Sequence, residues 1–360
     1  MAYTDRMETS YTTPGRGAGM RSRTLMRLVL LAQALGALAI GLAGVRWFGL
    51  APWQGAAAGL GSVVLVRLLI NANNFRMAAR AGSPTPPEHR LGLAAALRMF
   101  WEEFSTSMGT TSWHMPRARA HTRIYPCIDP GIDPGIDPGT APRIDPDTPA
   151  PPVLLLHGYG CNSGYWAHLV PLLDAARISH AAIDLEPLTG DIDSYAAGIE
   201  DAAARLCRLT GVPRLVVVGH SMGGLAARAW MRVHGAERVA RLITLGTPHH
   251  GTCLASLGPG ANARQMRRSG VAGPECAWLR MLAEGEEATA RARITSIYSH
   301  HDNIVAPQTS SQLPGARNLA FGGVGHVALG RNRRILAAVM AEIDAAGMAC
   351  TASVAAHHHH

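Results

Sequence analysis

The sequence predicts an α/β architecture: a mostly parallel sheet covered by helices, preceded by an N-terminal transmembrane helical hairpin. Three observations carry this. From Val153 onward, short apolar runs alternate with helical stretches, as in a parallel sheet buried on both faces. Leu215-Val216-Val217-Val218 leads into Gly219-His220-Ser221-Met222-Gly223-Gly224 and then a helix-like stretch, which reads as strand, sharp turn and helix. Leu28 to Val45 is apolar and uncharged over nearly the length that crosses a bilayer, about 20 residues.

Composition bounds the function. Of 360 residues, 48% are hydrophobic and only 16% charged, so a sizeable core can form. All 33 basic residues are arginine, and the net charge of +8 is spread along the chain. With no basic run interleaved with aromatics, a nucleic-acid partner is not expected. The six cysteines show no zinc or C-x-x-C spacing, and neither a metal nor an organic cofactor is expected. Cys253 and Cys276 could pair in an oxidising compartment, if their geometry allows.

Residues 1–24 read as a tail of cytoplasmic type and 25–70 as the hairpin. After Arg46 the chain is again uncharged from Trp47 to Val66, although Pro52, Gln54 and several glycines interrupt it. Trp47 and Trp53 flank the turn, where amphipathic aromatics favour the membrane interface. Arg16, Arg21, Arg23 and Arg27 precede the first span; Arg67, Arg76 and Arg80 follow the second. The positive-inside rule then puts both ends in the cytoplasm, so the expected location is a bacterial inner membrane with the main domain cytoplasmic. A single anchor or a signal peptide, with the main domain in the periplasm or outside, is the competing reading. A buried helix pair is a third. Gly36, Gly41 and Gly44 give a small-residue face suited to self-association, to a membrane-protein partner, or to the hairpin alone.

Residues 71–126 form a helical connector. Within it Leu91–Phe104 reads as an amphipathic helix with Leu93, Leu97, Phe100, Trp101 and Phe104 on one face, packed on the main domain or lying on the membrane. Residues 127–151 are a linker, in which Ile128-Asp-Pro-Gly recurs from Ile132 and Ile136. Proline at every fourth residue forbids a helix, and the aspartates lack any calcium-loop spacing. Beyond it, strands are expected at Val153–His157, His180–Leu185, Arg214–Gly219, Val239–Leu245, Ile294–Ser299 and Arg317–Phe321. Helices are expected near Tyr165–Ala176, Ser194–Leu209, Leu225–His234 and Arg331–Ala345. Residues 347–360 are a tail ending in His357–His360, which reads as a tag or as native sequence.

Several motifs in order make residues Pro152 to Ile343 resemble the α/β-hydrolase superfamily, and within it the lipase-like serine hydrolases of bacterial lipase and esterase type. His157-Gly158-Tyr159-Gly160 follows the first strand, as that family's oxyanion loop does. Ser221 occupies the elbow, supported by Gly219, His220 and Gly223. Gly246-Thr247-Pro248-His249-His250-Gly251 resembles the G-T-P-H-x-G segment of bacterial lipases. Asp302 follows a later strand, and His326 follows the last. Nucleophile, acid and histidine thus stand in the family's order, and the resemblance implies a catalytic domain over 152–346.

Each implied role has a chemical reason. A serine hydroxyl needs a base to take its proton as it attacks; His326 is the candidate. Asp302 would hold the imidazole tautomer and stabilise the imidazolium. The backbone N–H groups of Met222 and Tyr159 are the implied oxyanion donors. Asp184 and Glu186 are rival acids, and His249, His250, His300 and His301 rival histidines, with His249 and His250 expected to shape the loop beneath the pocket. Asp193 or Ser194 is expected to cap the following helix. Residues 252–293 depart from regular alternation and read as a cap over the nucleophile or as an ordinary packing excursion. The implied activity is hydrolysis of a hydrophobic or lipid ester through an acyl-serine intermediate. Acyl transfer or thioester cleavage on the same residues, and a non-catalytic membrane-tethered scaffold, remain alternatives.

Overall fold

The computed structural model describes residues 8–10, 21–125, 150–270 and 273–357. The Ile-Asp-Pro-Gly repeats of the linker lie outside the described residues, as do Arg16, Cys127, Val271 and the last three histidines.

The sheet has eight strands: β1 (Glu8–Ser10), β2 (His121–Arg123), β3 (Val153–Leu156), β4 (His180–Ile183), β5 (Leu215–His220), β6 (Val239–Leu245), β7 (Ile294–Ser299) and β8 (Arg317–Phe321). Their order is β1-β2-β4-β3-β5-β6-β7-β8. The six strands from β4 to β8 in that order are parallel, and β1 and β2 add an antiparallel edge. This is the α/β-hydrolase fold with the mostly parallel sheet that the sequence predicts.

Strand periodicity explains why both faces are buried. On β3, Leu154 and Leu156 enter one core while Val153 and Leu155 enter the other, because successive side chains point to opposite faces. The first core is closed by α5 (Ala196–Thr210) and α6 (Met222–His234). The second is closed by the turn at Ser163–His168, α4 (Val170–Ala175) and α8, which begins at Arg333. The helix expected over Tyr165–Ala176 is therefore two pieces, a 3-10 turn and a short α-helix with Pro171 in its first turn. The helix after the elbow starts three residues earlier than the apolar pattern suggests, because glycines at 223 and 224 hide its first turn. The helix expected to end at Ala345 continues to His357.

The N-terminal region forms a helical hairpin of α1 (Ser22–Phe48) and α2 (Pro52–Arg80), each long and apolar enough to cross a membrane. The small-residue face serves the hairpin itself: a Cβ on Gly41 would lie 2.8 Å from Gly55 O, and Gly44 abuts Leu50, whereas Gly36 faces open space. Helix α2 continues past the apolar stretch through Arg76 to Arg80, and Arg67 lies within it. Its guanidinium is held by Gln33, Thr111 and Ser112, which meets the demand that a charge in an apolar setting be hydrogen-bonded.

Helix α3 (Leu93–Gly109) splits the expected apolar face, with Phe100 and Phe104 half-buried. Leu93, Leu97 and Trp101 are exposed, while Met99, Glu103 and Thr106 are buried against the sheet domain. Phe100 packs on Phe75 of α2, while the inward face carries Glu103, whose partners lie on the turn after β8.

The extension docks on one end of the domain. Ser22 N–H donates to Glu186, Ser83 N–H to Gln308, and Glu103 accepts from Val327 and Ala328. All three receiving segments follow the C-terminal ends of parallel strands, the end at which open α/β sheets place their ligands.

Candidate active site

The elbow is built by close backbone approach. Ser221, between β5 and α6, has φ 53° and ψ −122°, a conformation that costs a non-glycine residue on the order of 1–3 kcal/mol. A Cβ on Gly219 would lie 2.7 Å from Gly224 N, and one on Gly223 would lie 2.7 Å from His157 O. Only glycine lets the helix start this close to the strand. Ser221 N–H donates to Leu245 O at 2.8 Å, and Thr247 Oγ1 donates to Ser221 O at 2.8 Å. The Ser221 backbone is thus fixed by β6 and the segment after it, while among the described residues none hydrogen-bonds Ser221 Oγ.

Asp302 and His326, from the loops after β7 and β8, meet in the buried interior. His326 Nδ1 lies 2.7 Å from Asp302 Oδ2, and Asp302 Oδ1 accepts from the N–H groups of Ile304 and Val305 at 2.8 and 2.7 Å. An ionised carboxylate only accepts, so Nδ1 carries the proton and Nε2 is left as the basic nitrogen. Burial opposes the imidazolium, but the charge and hydrogen bond of Asp302, with the charge of Glu103 behind them, raise His326 above its ordinary pKa. Asn303 Oδ1 accepts from His326 N–H at 2.9 Å.

The neighbouring histidines have structural tasks. His157 is fully buried; Leu185 N–H donates to its Nε2 at 2.8 Å, so its Nδ1–H donates to Gly158 O at 2.9 Å. Burial holds its pKa low, and the ring ties the loop after β3 to the exit of β4. Gly158 lets that loop reach the elbow, since a Cβ there would lie 2.9 Å from Ser221 Cβ. His220 stacks on Tyr165, with centroids 3.9 Å apart, and donates through Nε2 to His326 O at 3.2 Å. Burial, then the neighbouring His326, keeps it neutral.

Of the implied oxyanion donors, Met222 N–H is the first amide of α6 and has no intrahelical acceptor by position. Tyr159 follows Gly158 beside the elbow, and its hydroxyl donates to Pro259 O at 2.8 Å, which joins this loop to the segment after β6. The rival groups are engaged elsewhere. Asp184 accepts from Ser163 N–H, Glu186 from Ser22 N–H, and His250 Nδ1 lies 3.0 Å from Glu275. His301 accepts from Gly323 N–H, and His300 packs on His89 and Tyr298. His249 is buried between Arg228 and Thr244.

One smaller expectation is corrected. Asp191, not Asp193 or Ser194, organises the turn before α5 by accepting from Asp193 N–H. Asp193 instead binds Trp278 Nε1–H at 2.7 Å. Cys253 and Cys276 are free thiols, and Cys276 donates to Gln265 O. Residues 252–293 divide in two. The first part lies against Tyr159 at Gly258, and α7 (Ala277–Glu284) buries Leu279 and Leu282 on the flank of the sheet domain with α6. Sequence reasoning missed Glu103, Asn303 and Tyr165, whose neighbours around His326 are remote in sequence.

Strand order, elbow and acid–histidine pair together define an α/β-hydrolase-type domain. Residues 151–302 match the family model for the alpha/beta hydrolase fold. Over 98 residues it is 34% identical to the pimeloyl-[acyl-carrier protein] methyl ester esterase of Vibrio vulnificus, covering 27% of this chain and 37% of that one. The Klebsiella pneumoniae protein of the same name is 34% identical over 95 residues, 26% of this chain and 36% of its own. The matches thus span little more than a third of those curated relatives. Among solved structures, a Bacillus licheniformis lipase in mature form aligns with TM-score 0.46 and 18% identity, covering 59% of this chain and 96% of that one. An esterase from Exiguobacterium antarcticum aligns with TM-score 0.40 and 15% identity, covering 55% and 93%.

Proposed function

We propose that this chain is a membrane-anchored serine hydrolase that cleaves a hydrophobic carboxylic ester through an acyl-serine intermediate. The observation that carries the reading is the buried Asp302–His326 pair, 2.7 Å apart, at the same sheet end as a serine in a strained elbow. Ser221 Oγ attacks the ester carbonyl as its proton passes to His326 Nε2. The carbonyl oxygen becomes an oxyanion held by the N–H groups of Met222 and Tyr159. When the tetrahedral adduct collapses, the C–O bond to the leaving alcohol breaks and His326 returns the proton to that alcohol. Water, deprotonated by His326, then attacks the acyl-serine; Ser221 leaves with the proton and the carboxylic acid is released.

Attachment to a membrane is supported by α1 and α2, whose apolar side chains are largely exposed, including Leu31, Leu35, Leu38, Leu65 and Leu69. Trp47, Phe48 and Trp53 cluster at the exposed turn, and the outward stripe of α3 adds Leu93, Leu97 and Trp101. An anchored enzyme whose extension docks at the ligand-binding end of its sheet is suited to esters that reside in a bilayer. The test is hydrolysis of a short-to-long p-nitrophenyl ester series in mild detergent, with Ser221→Ala as control. Turnover that rises with acyl length and vanishes in the variant is expected. Absence of serine-dependent turnover, with no fluorophosphonate labelling of Ser221, overturns the reading.

A further inference from the structure

The turn that carries His326 lacks a local means of satisfying its own backbone. His326 is the N-cap of the 3-10 turn Val327–Gly330, and its side chain makes no capping bond. Serine, threonine or aspartate normally occupies this position and accepts from the free amides that follow. Here the ring is committed to Asp302. The acceptor comes instead from 224 residues earlier in the chain: Glu103 Oε1 accepts from Val327 N–H at 3.0 Å, and Oε2 from Ala328 N–H at 2.8 Å. Burial raises the Glu103 pKa above its ordinary value, whereas the two N–H groups, each donating to one oxygen, favour the ionised form.

A second observation shows a space shaped for this group. A Cβ on Gly325 would lie 2.6 Å from Glu103 Oε2 and 2.7 Å from its Cδ, so glycine before His326 leaves room for the carboxylate. The same connector braces the acid as well. Ser83 N–H and Oγ–H donate to Gln308 Oε1, and Gln308 Nε2 donates to Asp302 O at 2.9 Å.

We infer that Glu103 is a positioning residue for His326, so that the connector after the hairpin completes an active site whose other parts all lie beyond residue 150. This rests on the hydrolase reading for the role of His326. Glu103 touches neither the nucleophile nor its acyl group. It sets the direction of the turn on which the base is mounted and adds a negative charge behind the imidazole. The titratable groups facing His326 and Glu103 are Asp302 from the β7 loop, His220 from the elbow and Tyr165 from the turn after β3.

Glu103→Gln keeps the shape but removes the charge and one acceptor. Its kcat on a p-nitrophenyl ester should fall about 10- to 100-fold, the scale of a small misplacement of a reacting group, with KM unchanged. The acid limb of kcat/KM should move to lower pH, because loss of the nearby negative charge lowers the pKa of His326. Glu103→Asp keeps the charge on a shorter arm, so it should lose kcat while its acid limb stays near the wild-type position. It also serves if the glutamine variant does not fold. A glutamine variant with wild-type kcat and an unmoved limb overturns the proposal, as does one that loses kcat only in step with its melting temperature. NMR titration of the His326 ring in wild type and Glu103→Gln reads the same shift without turnover. Failure of the hydrolase reading, seen as a wild type no more active than Ser221→Ala, is therefore distinguished from failure of this proposal.

Discussion

Asp302→Asn tests the proposed chemistry most sharply, because the change is isosteric and its effect follows from hydrogen-bond direction alone. Asp302 Oδ1 accepts from two backbone N–H groups, Ile304 and Val305. In the variant the amide oxygen must take that side, since an NH2 group there would face two donors. The amide nitrogen is then turned towards His326 Nδ1, 2.7 Å away in the wild type. Two N–H groups cannot oppose each other at that distance, so the imidazole takes the other tautomer. Its proton moves to Nε2, where a base is needed to accept one from Ser221. A wrong-tautomer triad loses on the order of 10⁴-fold in kcat, or about 5.4 kcal/mol of barrier lowering. The stability cost is smaller: two charge-assisted hydrogen bonds become neutral, about 1 kcal/mol each. The assay is steady-state hydrolysis of a p-nitrophenyl ester in detergent, beside a thermal melt. A kcat within tenfold of wild type in a folded variant would refute the assignment of Asp302.

Further outcomes follow from the same geometry. His326 has a folded pKa above its ordinary value of about 6.5, so its pair with Asp302 adds stability that is complete below that pH. This stability is lost as pH rises through the folded pKa. The buried, neutral His157, His220 and His249 act in the opposite sense; the difference in melting temperature between wild type and Asp302→Asn isolates the pair and should shrink as pH rises. Ser221→Gly should melt above Ser221→Ala by the equivalent of about 1 kcal/mol, because only glycine relieves the positive φ; equal melting temperatures would count against strain in the elbow. His157→Ala removes the bond from Leu185 N–H that ties the loop after β3 to the exit of β4, and the bond to Gly158 O within that loop; if the loop supplies the proposed oxyanion donor, kcat should fall about tenfold or more, with acyl-chain preference unchanged. Replacing Leu97 and Trp101 together by serine should slow hydrolysis of vesicle-borne esters and spare short soluble ones; equal loss on both would show that the α3 stripe has no interfacial role.

Much of this protein follows from local sequence. Apolar runs of the right length make buried parallel strands, and β6, β7 and β8 begin and end where the pattern alone puts them. The elbow is legible because its chemistry is steric: Gly219, Gly223 and Gly224 are required wherever a strand doubles back into a helix, and Ser221 is the residue they expose. The order of Ser221, Asp302 and His326 is likewise visible in one dimension. What tertiary structure decided are the contacts between distant segments. The family order already favoured Asp302 over Asp184 and Glu186, but only the folded chain shows Asp302 meeting His326 Nδ1 while the other two accept elsewhere. Periodicity marked Leu93, Leu97, Phe100, Trp101 and Phe104 as one face of α3 and left open whether it packs on the domain or meets the membrane; Leu93, Leu97 and Trp101 are exposed, and Glu103 is buried instead. The reason is that a buried turn with two free amides needs an acceptor more than the core needs another apolar stripe, and no local pattern records where those amides will lie.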